Sequence, residues 1–314
     1  MRRFLARIMK STPTSPANRN YFEAAPGIWS LNEAMQLTKA SAWPTQGVVI
    51  ASQVEFTTAG TYSWVAPIGT TSVSVVCIGA GGSNAGGGGE LRYKNNISVT
   101  PGTSYEVVVA APGNFWQGGA GNYATVSDGG FSQFINGSTC KANGGRSYYN
   151  TSNNGGQGGV GDGGGNGGTC PDGNYFGYGV GGAGAGGYSG TGGNGSNGSS
   201  GNAGSGGAGG GGIVMTGALN AYGRGGGCGL YGQGTSGAAG LNNPFPPYGT
   251  GPANNVGQGG DGSLDVGSGT YENRAGMRLG YGQGYIGAGG GVRIVWSGTT
   301  GITRTFPSTN VLDL

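Results

Sequence analysis

Glycine recurs at every third position over long stretches of this chain. The series Gly192, Gly195, Gly198, Gly201, Gly204, Gly207, Gly210 is unbroken, and a second runs Gly155, Gly158, Gly161, Gly164, Gly167. An α-helix repeats every ~3.6 residues and a strand every ~2, so neither produces this spacing. An extended left-handed helix with about three residues per turn does. Such a helix carries glycine along one edge, where the missing Cβ lets a second backbone approach closely enough to exchange N–H···O=C bonds sideways. The pattern predicts backbones laced together through their amides.

Composition decides between the chains that share this rhythm. Of 314 residues, 80 are glycine and 9% are charged, against about 7% glycine and about 25% charged in an average globular protein. Collagen needs strict Gly-X-Y with abundant proline, but the 13 prolines leave residues 172–243 empty. A flexible Gly/Ser linker is the competing reading. Against it stand the sustained three-residue register, the interspersed Tyr, Phe, Val and Ile, and β-rich segments on both sides of the glycine region.

Four regions separate along the chain: 1–50, 51–145, 146–291 and 292–314. The first opens with a basic, then Ser/Thr/Pro-rich arm and contains the one predicted helix. Ser30 and Glu33 form a capping box, Trp29 can staple against Ala34, and Leu31, Met35 and Leu37 extend the apolar face. Trp43-Pro44 ends it, because the residue before proline avoids the helical region. A helix this short and this apolar on one side must dock on something, either the chain's own β module or another subunit.

Residues 51–145 read as short strands at 54–57, 61–65, 73–78, 97–99 and 105–109, with a hairpin over 131–135 and 139–142, all rich in β-branched and aromatic residues. Their spacing predicts an antiparallel β-sandwich. Strand character returns at 291–296 and 303–306. The economical topology sets the last strand beside the first ones, so that 146–291 is one long insertion. Its aperiodic interruptions, at 146–154, 169–180, 213–222, 241–256 and 264–279, read as loops at the ends of a bundle.

Histidine is absent, which removes His-based acid/base catalysis, the Ser/His/Asp triad and His-ligated metals. Cys77, Cys140, Cys170 and Cys228 contain no C-x-x-C pair, so no metal knuckle is read. Their even number permits two disulfides, but their spacing favours reduced, buried thiols. Gly79-Ala-Gly-Gly82 follows a strand without the helix that a dinucleotide fingerprint requires. The carboxylates Glu55, Glu90, Glu106, Asp128, Asp162, Asp172, Asp261, Asp265 and Glu272 are scattered singly, whereas a glycosidase needs a cooperating pair. They read as isolated surface charges. No catalytic residue, metal site or cofactor is expected. The net charge of +3 forms no dense basic face, so nucleic acid is not an expected partner. No run of ~18 apolar residues predicts a membrane span.

Aromatic pairs and clusters fall inside the interruptions: Tyr148 and Tyr149; Tyr175, Phe176 and Tyr178; Phe245 and Tyr248. Tyr on loops supplies amphipathic contact area at low entropic cost, suited to recognition. Capping of bundle ends or packing between subunits is the alternative use.

Three segments carry a family resemblance. Phe56-Thr-Thr-Ala-Gly-Thr-Tyr-Ser-Trp64-Val-Ala-Pro67, then Ser72-Val-Ser-Val-Val-Cys-Ile-Gly-Ala-Gly-Gly82, then Tyr93-Lys-Asn-Asn-Ile-Ser-Val-Thr-Pro101-Gly-Thr-Ser-Tyr105-Glu-Val-Val-Val109 resemble the glycine-rich domain of bacteriophage tail-fibre and adhesin-like proteins. The closing Gly291-Val-Arg-Ile-Val-Trp296 is similar to the way those domains end, and Ala25-Pro-Gly-Ile-Trp29-Ser-Leu-Asn-Glu-Ala-Met35 resembles an N-terminal segment of marine-phage virion proteins. The resemblance implies a mostly β fold, an antiparallel β-sandwich with an inserted polyglycine II helix bundle and one short N-terminal α-helix. It implies a virion structural protein that is a homo-oligomer, with trimers common among fibres, and that binds other virion proteins. Trp29, Leu31, Met35, Leu37 and Trp43 would attach it to the particle. Tyr148, Tyr149, Tyr175, Phe176, Tyr178, Phe245 and Tyr248 would contact a host surface glycan or outer-membrane protein. A capsid decoration, neck or connector protein without a receptor is the alternative.

Overall fold

In a computed structural model of the chain, the structure describes residues 51–83, 86–113, 115–117, 123–147, 155–169, 183–195, 227–234, 270–272, 285–298, 303–308 and 311. All belong to the unit Val49–Leu314. The expected helix with Trp29, Leu31, Met35, Leu37 and Trp43 lies outside them.

The β-rich reading holds: almost all regular structure here is strand. β1 (Ser52–Phe56), β2 (Gly60–Val65), β3 (Ser72–Ile78), β4 (Leu91–Ser98) and β5 (Ser104–Val109) come first. They are followed by β6 (Phe115–Gln117), β7 (Tyr123–Val126), β8 (Ser132–Phe134) and β9 (Cys140–Ala142), then β10 (Thr270–Glu272), β11 (Tyr285–Gly287) and β12 (Gly291–Trp296). Two antiparallel four-stranded sheets result, ordered β1-β12-β3-β4 and β2-β5-β8-β9, with two-stranded ribbons β6-β7 and β10-β11. The final strand lies between β1 and β3, pairing Val54 with Ile294 and Val75 with the same residue on the other side. The expected return of the chain to its first strands is therefore present.

Alternation explains how the sheets share a core. Val73, Val75 and Cys77 of β3, with Val292, Ile294 and Trp296 of β12, meet Trp64, Val107, Phe134 and Cys140 of the second sheet in one apolar cluster. Trp64 sits 5.9 Å from both Phe134 and Trp296, ring to ring. The opposite face of the first sheet is covered as well. There Val76, Ile78, Leu91 and Val295 pack with Tyr188, Cys228, Leu230, Phe306 and Val311. Burial on two faces accounts for near-continuous apolar runs where a half-exposed strand would alternate. At the β4–β5 connection, Pro101-Gly102 makes the expected turn: Gly102 takes φ +77° and Thr103 N–H donates to Thr100 C=O at 3.0 Å, the conformation a type II turn requires of glycine.

Three expectations need correction. Residues 303–306 form no strand. Instead the Asn95 side chain grips both backbone groups of Phe306, donating to its carbonyl at 2.7 Å and accepting from its N–H at 2.9 Å. Asn95 is free to do so because β4 bulges against β3 between Val73 and Val75, with Asn96 at φ 53°, and a bulge re-aims its neighbour. The strand expected at 97–99 begins at Leu91, its polar half pairing Tyr93 with Val76 and Lys94 with Val75. The insertion also contains strands β10 and β11, paired Tyr271 to Ile286.

The glycine segments between strands are neither helix nor sheet, yet their amides are bonded sideways. In 79–82 the four successive N–H groups donate to Glu90, Gly130, Ala288 and Gly87, at 2.8, 3.2, 2.9 and 2.9 Å. The first three partners lie in three different segments, and the fourth amide returns to the segment of the first. Gly88 donates to Gly168, Gly167 to Gly156 and Gly156 back to Gly88, closing a triangle of segments. Gly168 donates to Gly184 and Gly184 to Gly193, while Gly192 donates to Asn166, closing a second. This net reaches beyond 146–291 to take in 79–82, 86–90, 110–113, 128–130 and 143–147. Side chains are excluded at its contacts: a Cβ on Gly88 would fall on the Gly184 carbonyl, and one on Gly167 on the Gly88 carbonyl.

Candidate functional site

None of the seven aromatic residues expected at receptor-contact loops lies among the described residues: Tyr148, Tyr149, Tyr175, Phe176, Tyr178, Phe245 and Tyr248 are all outside them. What the described residues do reveal is how the glycine-rich segments are held to the sheets.

Glu90 corrects the expectation of isolated surface charges, whereas Glu106, Asp128 and Asp162 are exposed. Glu90 is fully buried. Its Oε1 meets Arg92 Nη2 at 2.5 Å and accepts from Gly159 N–H at 3.0 Å, and its Oε2 accepts from Asn143 N–H at 2.9 Å. The backbone of Glu90 joins the glycine net too, donating to Asn143 C=O and accepting from Gly79. One side chain therefore ties two glycine-rich segments, 143–147 and 155–169, to β4. Asp128 accepts from Ser147 N–H at 2.8 Å, and Asp162 accepts from Asn95 N–H at 2.8 Å while facing Lys94 at 3.7 Å.

A second polar cluster lies on the outer face of the first sheet. Arg293 is completely buried: its guanidinium stacks 4.0 Å from the Tyr231 ring, donates to Leu230 C=O at 3.1 Å and faces Glu55 at 3.3 Å. Gln53 Oε1 accepts from both Arg293 and Arg304, and Arg304 also donates to Ser52 C=O at 2.7 Å and Val311 C=O at 3.2 Å. Burying two guanidiniums is tolerated only where their donors are matched. Here Leu230 and Val311 C=O of the covering segments, with Ser52 C=O, Gln53 and Glu55 of β1, take up several of those donors, so these arginines fasten 227–234, 303–308 and Val311 to the sheet.

Tyr188 completes this layer, donating to Gly229 C=O at 2.9 Å and accepting from Gly232 N–H at 3.1 Å. Burial raises its phenol well above the usual value, and burial pushes the neighbouring Cys228 thiol up to about 12 from 9.0. Both groups are neutral in the fold and ionise sooner in the unfolded chain. Their contribution to stability is intact below about pH 9 and is lost as pH rises toward 12. The thermal midpoint should thus hold steady up to about pH 9 and then fall. In Cys228→Ala the fall should be shallower; a midpoint equally flat to pH 11.5 in both proteins would contradict the burial of these groups.

A shallow depression of about 410 Å³ lies at the end of the first sheet, where buried Thr70 and exposed Thr71, Ser72, Asn96, Ser297 and Thr303 contribute hydroxyls and an amide. Among the described residues no cluster of three or more His, Cys, Asp or Glu could hold a metal ion, and no helix is long and apolar enough to cross a membrane. Val65, the last residue of β2, and Ile68, just after Pro67, are exposed by 55% and 73%.

No known family model and no curated protein sequence matches the chain.

Proposed function

We propose that this chain is a structural protein of a bacteriophage virion, a tail-fibre or adhesin-like subunit in which an antiparallel β-sandwich carries a bundle of polyglycine II helices. The observation that carries the reading is the turning of successive amides in 79–82 toward three different segments, with return at the fourth residue. That is the behaviour expected of a helix with about three residues per turn bonded only to its neighbours. Each such bond contributes only about 0.5–1.5 kcal/mol net, so rigidity comes from their number. A rigid bundle presents loops without an ordering cost at the moment of binding.

In this reading Tyr148, Tyr149, Tyr175, Phe176, Tyr178, Phe245 and Tyr248 contact a host glycan or outer-membrane protein. Trp29, Leu31, Met35, Leu37 and Trp43 dock the subunit into the particle. The chain assembles as a homo-oligomer, for which the exposed Val65 and Ile68 offer apolar surface.

Immunogold imaging of purified particles, combined with replacement of Tyr175, Phe176, Tyr178, Phe245 and Tyr248 by Ser, tests the proposal. Labelling on an external appendage is expected, with host adsorption reduced at least about tenfold at unchanged particle yield, a loss of about 1.4 kcal/mol or more in binding. Normal adsorption by intact labelled particles would move the chain to a receptor-free role as decoration, neck or connector protein. Absence of label from particles would overturn the proposal altogether.

A further inference from the structure

Cys77 on β3 and Cys140 on β9 come from the two different sheets and are both fully buried in the core those sheets share. The Cys77 thiol points at the Cys140 carbonyl, 3.8 Å away. The Cys140 thiol in turn points at the Arg92 carbonyl, also at 3.8 Å, and Arg92 is the residue paired with Cys77 across β3 and β4. Each sulfur is directed at the other's strand or at the strand bonded to it. The Cys77 thiol therefore lies beside Cys140 across the core that the two sheets share, the adjacency from which a cross-link between them starts. Cys228 lies in the other core, its thiol directed at the Gly229 carbonyl at 3.6 Å.

We propose that Cys77 and Cys140 form an inter-sheet disulfide when the chain folds under oxidising conditions, although both are free thiols in this structure. The oxidant is a small-molecule disulfide such as oxidised glutathione. The Cys77 thiolate attacks one glutathione sulfur, breaking that S–S bond and releasing one glutathione thiolate. The Cys140 thiolate then attacks the Cys77 sulfur of the mixed disulfide and releases the second. Two protein thiols are oxidised, one glutathione disulfide is reduced to two thiols, and the two protein protons pass to solvent and the leaving thiolates.

Timing follows from burial. Burial and the adjoining Cys140 thiol hold the Cys77 thiol well above its ordinary value, so the reacting thiolate is scarce in the closed fold. The attack of Cys77 on glutathione therefore precedes closure of the core, and the attack of Cys140 completes the bond as the sheets bring the two residues together. Once made, the bond is shielded from reductant by the same core. The cross-link joins residues 63 apart in sequence, so it restricts the unfolded chain over a long loop.

The test refolds the full chain from denaturant in parallel, under excess reductant and in a reduced/oxidised glutathione mixture. Each sample is quenched with acid, alkylated in denaturant and mapped as unreduced peptides. The glutathione sample should yield a peptide linking Cys77 to Cys140 and an unfolding midpoint higher by roughly 5–15 °C. Cys228→Ala should leave both results unchanged, while Cys77→Ala should abolish them. Should the alanine variant fail to fold, the peptide map of the native sequence decides alone. Alkylation of both Cys77 and Cys140 in the glutathione-refolded protein, or linkage of either to Cys170 or to a second chain, would overturn the proposal.

Discussion

Gly88→Ala should lower the unfolding midpoint by about 10 °C, an effect of roughly 3 kcal/mol or more for a chain of this size. Gly88 stands where segments cross: it donates to Gly168, accepts from Gly156, and leaves no space between its Cα and the Gly184 carbonyl. A methyl group there meets backbone atoms of a neighbouring segment, and backbone cannot rotate away as a side chain can. The two segments must separate, and hydrogen bonds on both sides lengthen with them. Gly137→Ala is the matched control. Its Cβ would meet only the Lys141 side chain at 3.5 Å and Gln133 at 3.7 Å in an exposed turn, so the midpoint should move by less than about 2 °C. Equal, small shifts in the two variants, read by calorimetry, would mean that the glycine contacts are not close-packed.

Glu90→Ala should destabilise the protein by about 3–5 kcal/mol, the range for breaking a buried ion pair from one side. The loss has two parts. Arg92, itself largely buried, keeps its charge without its nearest partner, and the amides of Asn143 and Gly159 lose their acceptor. Glu90→Gln should recover only a fraction, because a neutral amide has one acceptor oxygen and would turn its NH2 toward one of those two N–H donors. Denaturant titration of the three proteins orders them native, Gln, Ala. A Gln variant as stable as the native chain would contradict the paired-acceptor role.

These two residues also mark how far the sequence can be read. Strands β2, β3, β5 and β12 announce themselves through Val, Ile and aromatic residues, and the pairing of β12 with β1 follows from their shared period. The first half of β4 does not, since Arg92, Tyr93 and Lys94 bond to glycine segments and charged partners: Tyr93 N–H donates to Gly163 C=O at 3.0 Å and Arg92 to Asn166 at 2.7 Å. Periodicity needs length, and 79–82 is too short to show a three-residue repeat, although its amides follow one. Arg293 inside Val-Arg-Ile-Val carries no local mark of its complete burial. Nothing local signals that 227–234, 303–308 and Val311 will cover its face of the sheet, because the covering residues are distant in sequence and matched through carbonyls that every residue possesses. Glu90 after four glycines was the one available signal of a buried carboxylate, since glycine neighbours offer unshielded amides to accept from. The aromatics proposed for receptor contact were legible as a composition and lie outside the described residues.

The lateral bonding of the glycine backbones is tested most directly by amide hydrogen exchange on the native chain, resolved at Gly81, Gly88, Gly156, Gly168 and Gly184. Each of these amides has a partner at 3.0 Å or less in another segment, so each should exchange only as fast as the β sheets themselves open. Exchange at the rate of an unstructured peptide, with β3 and β12 still protected, would contradict the account.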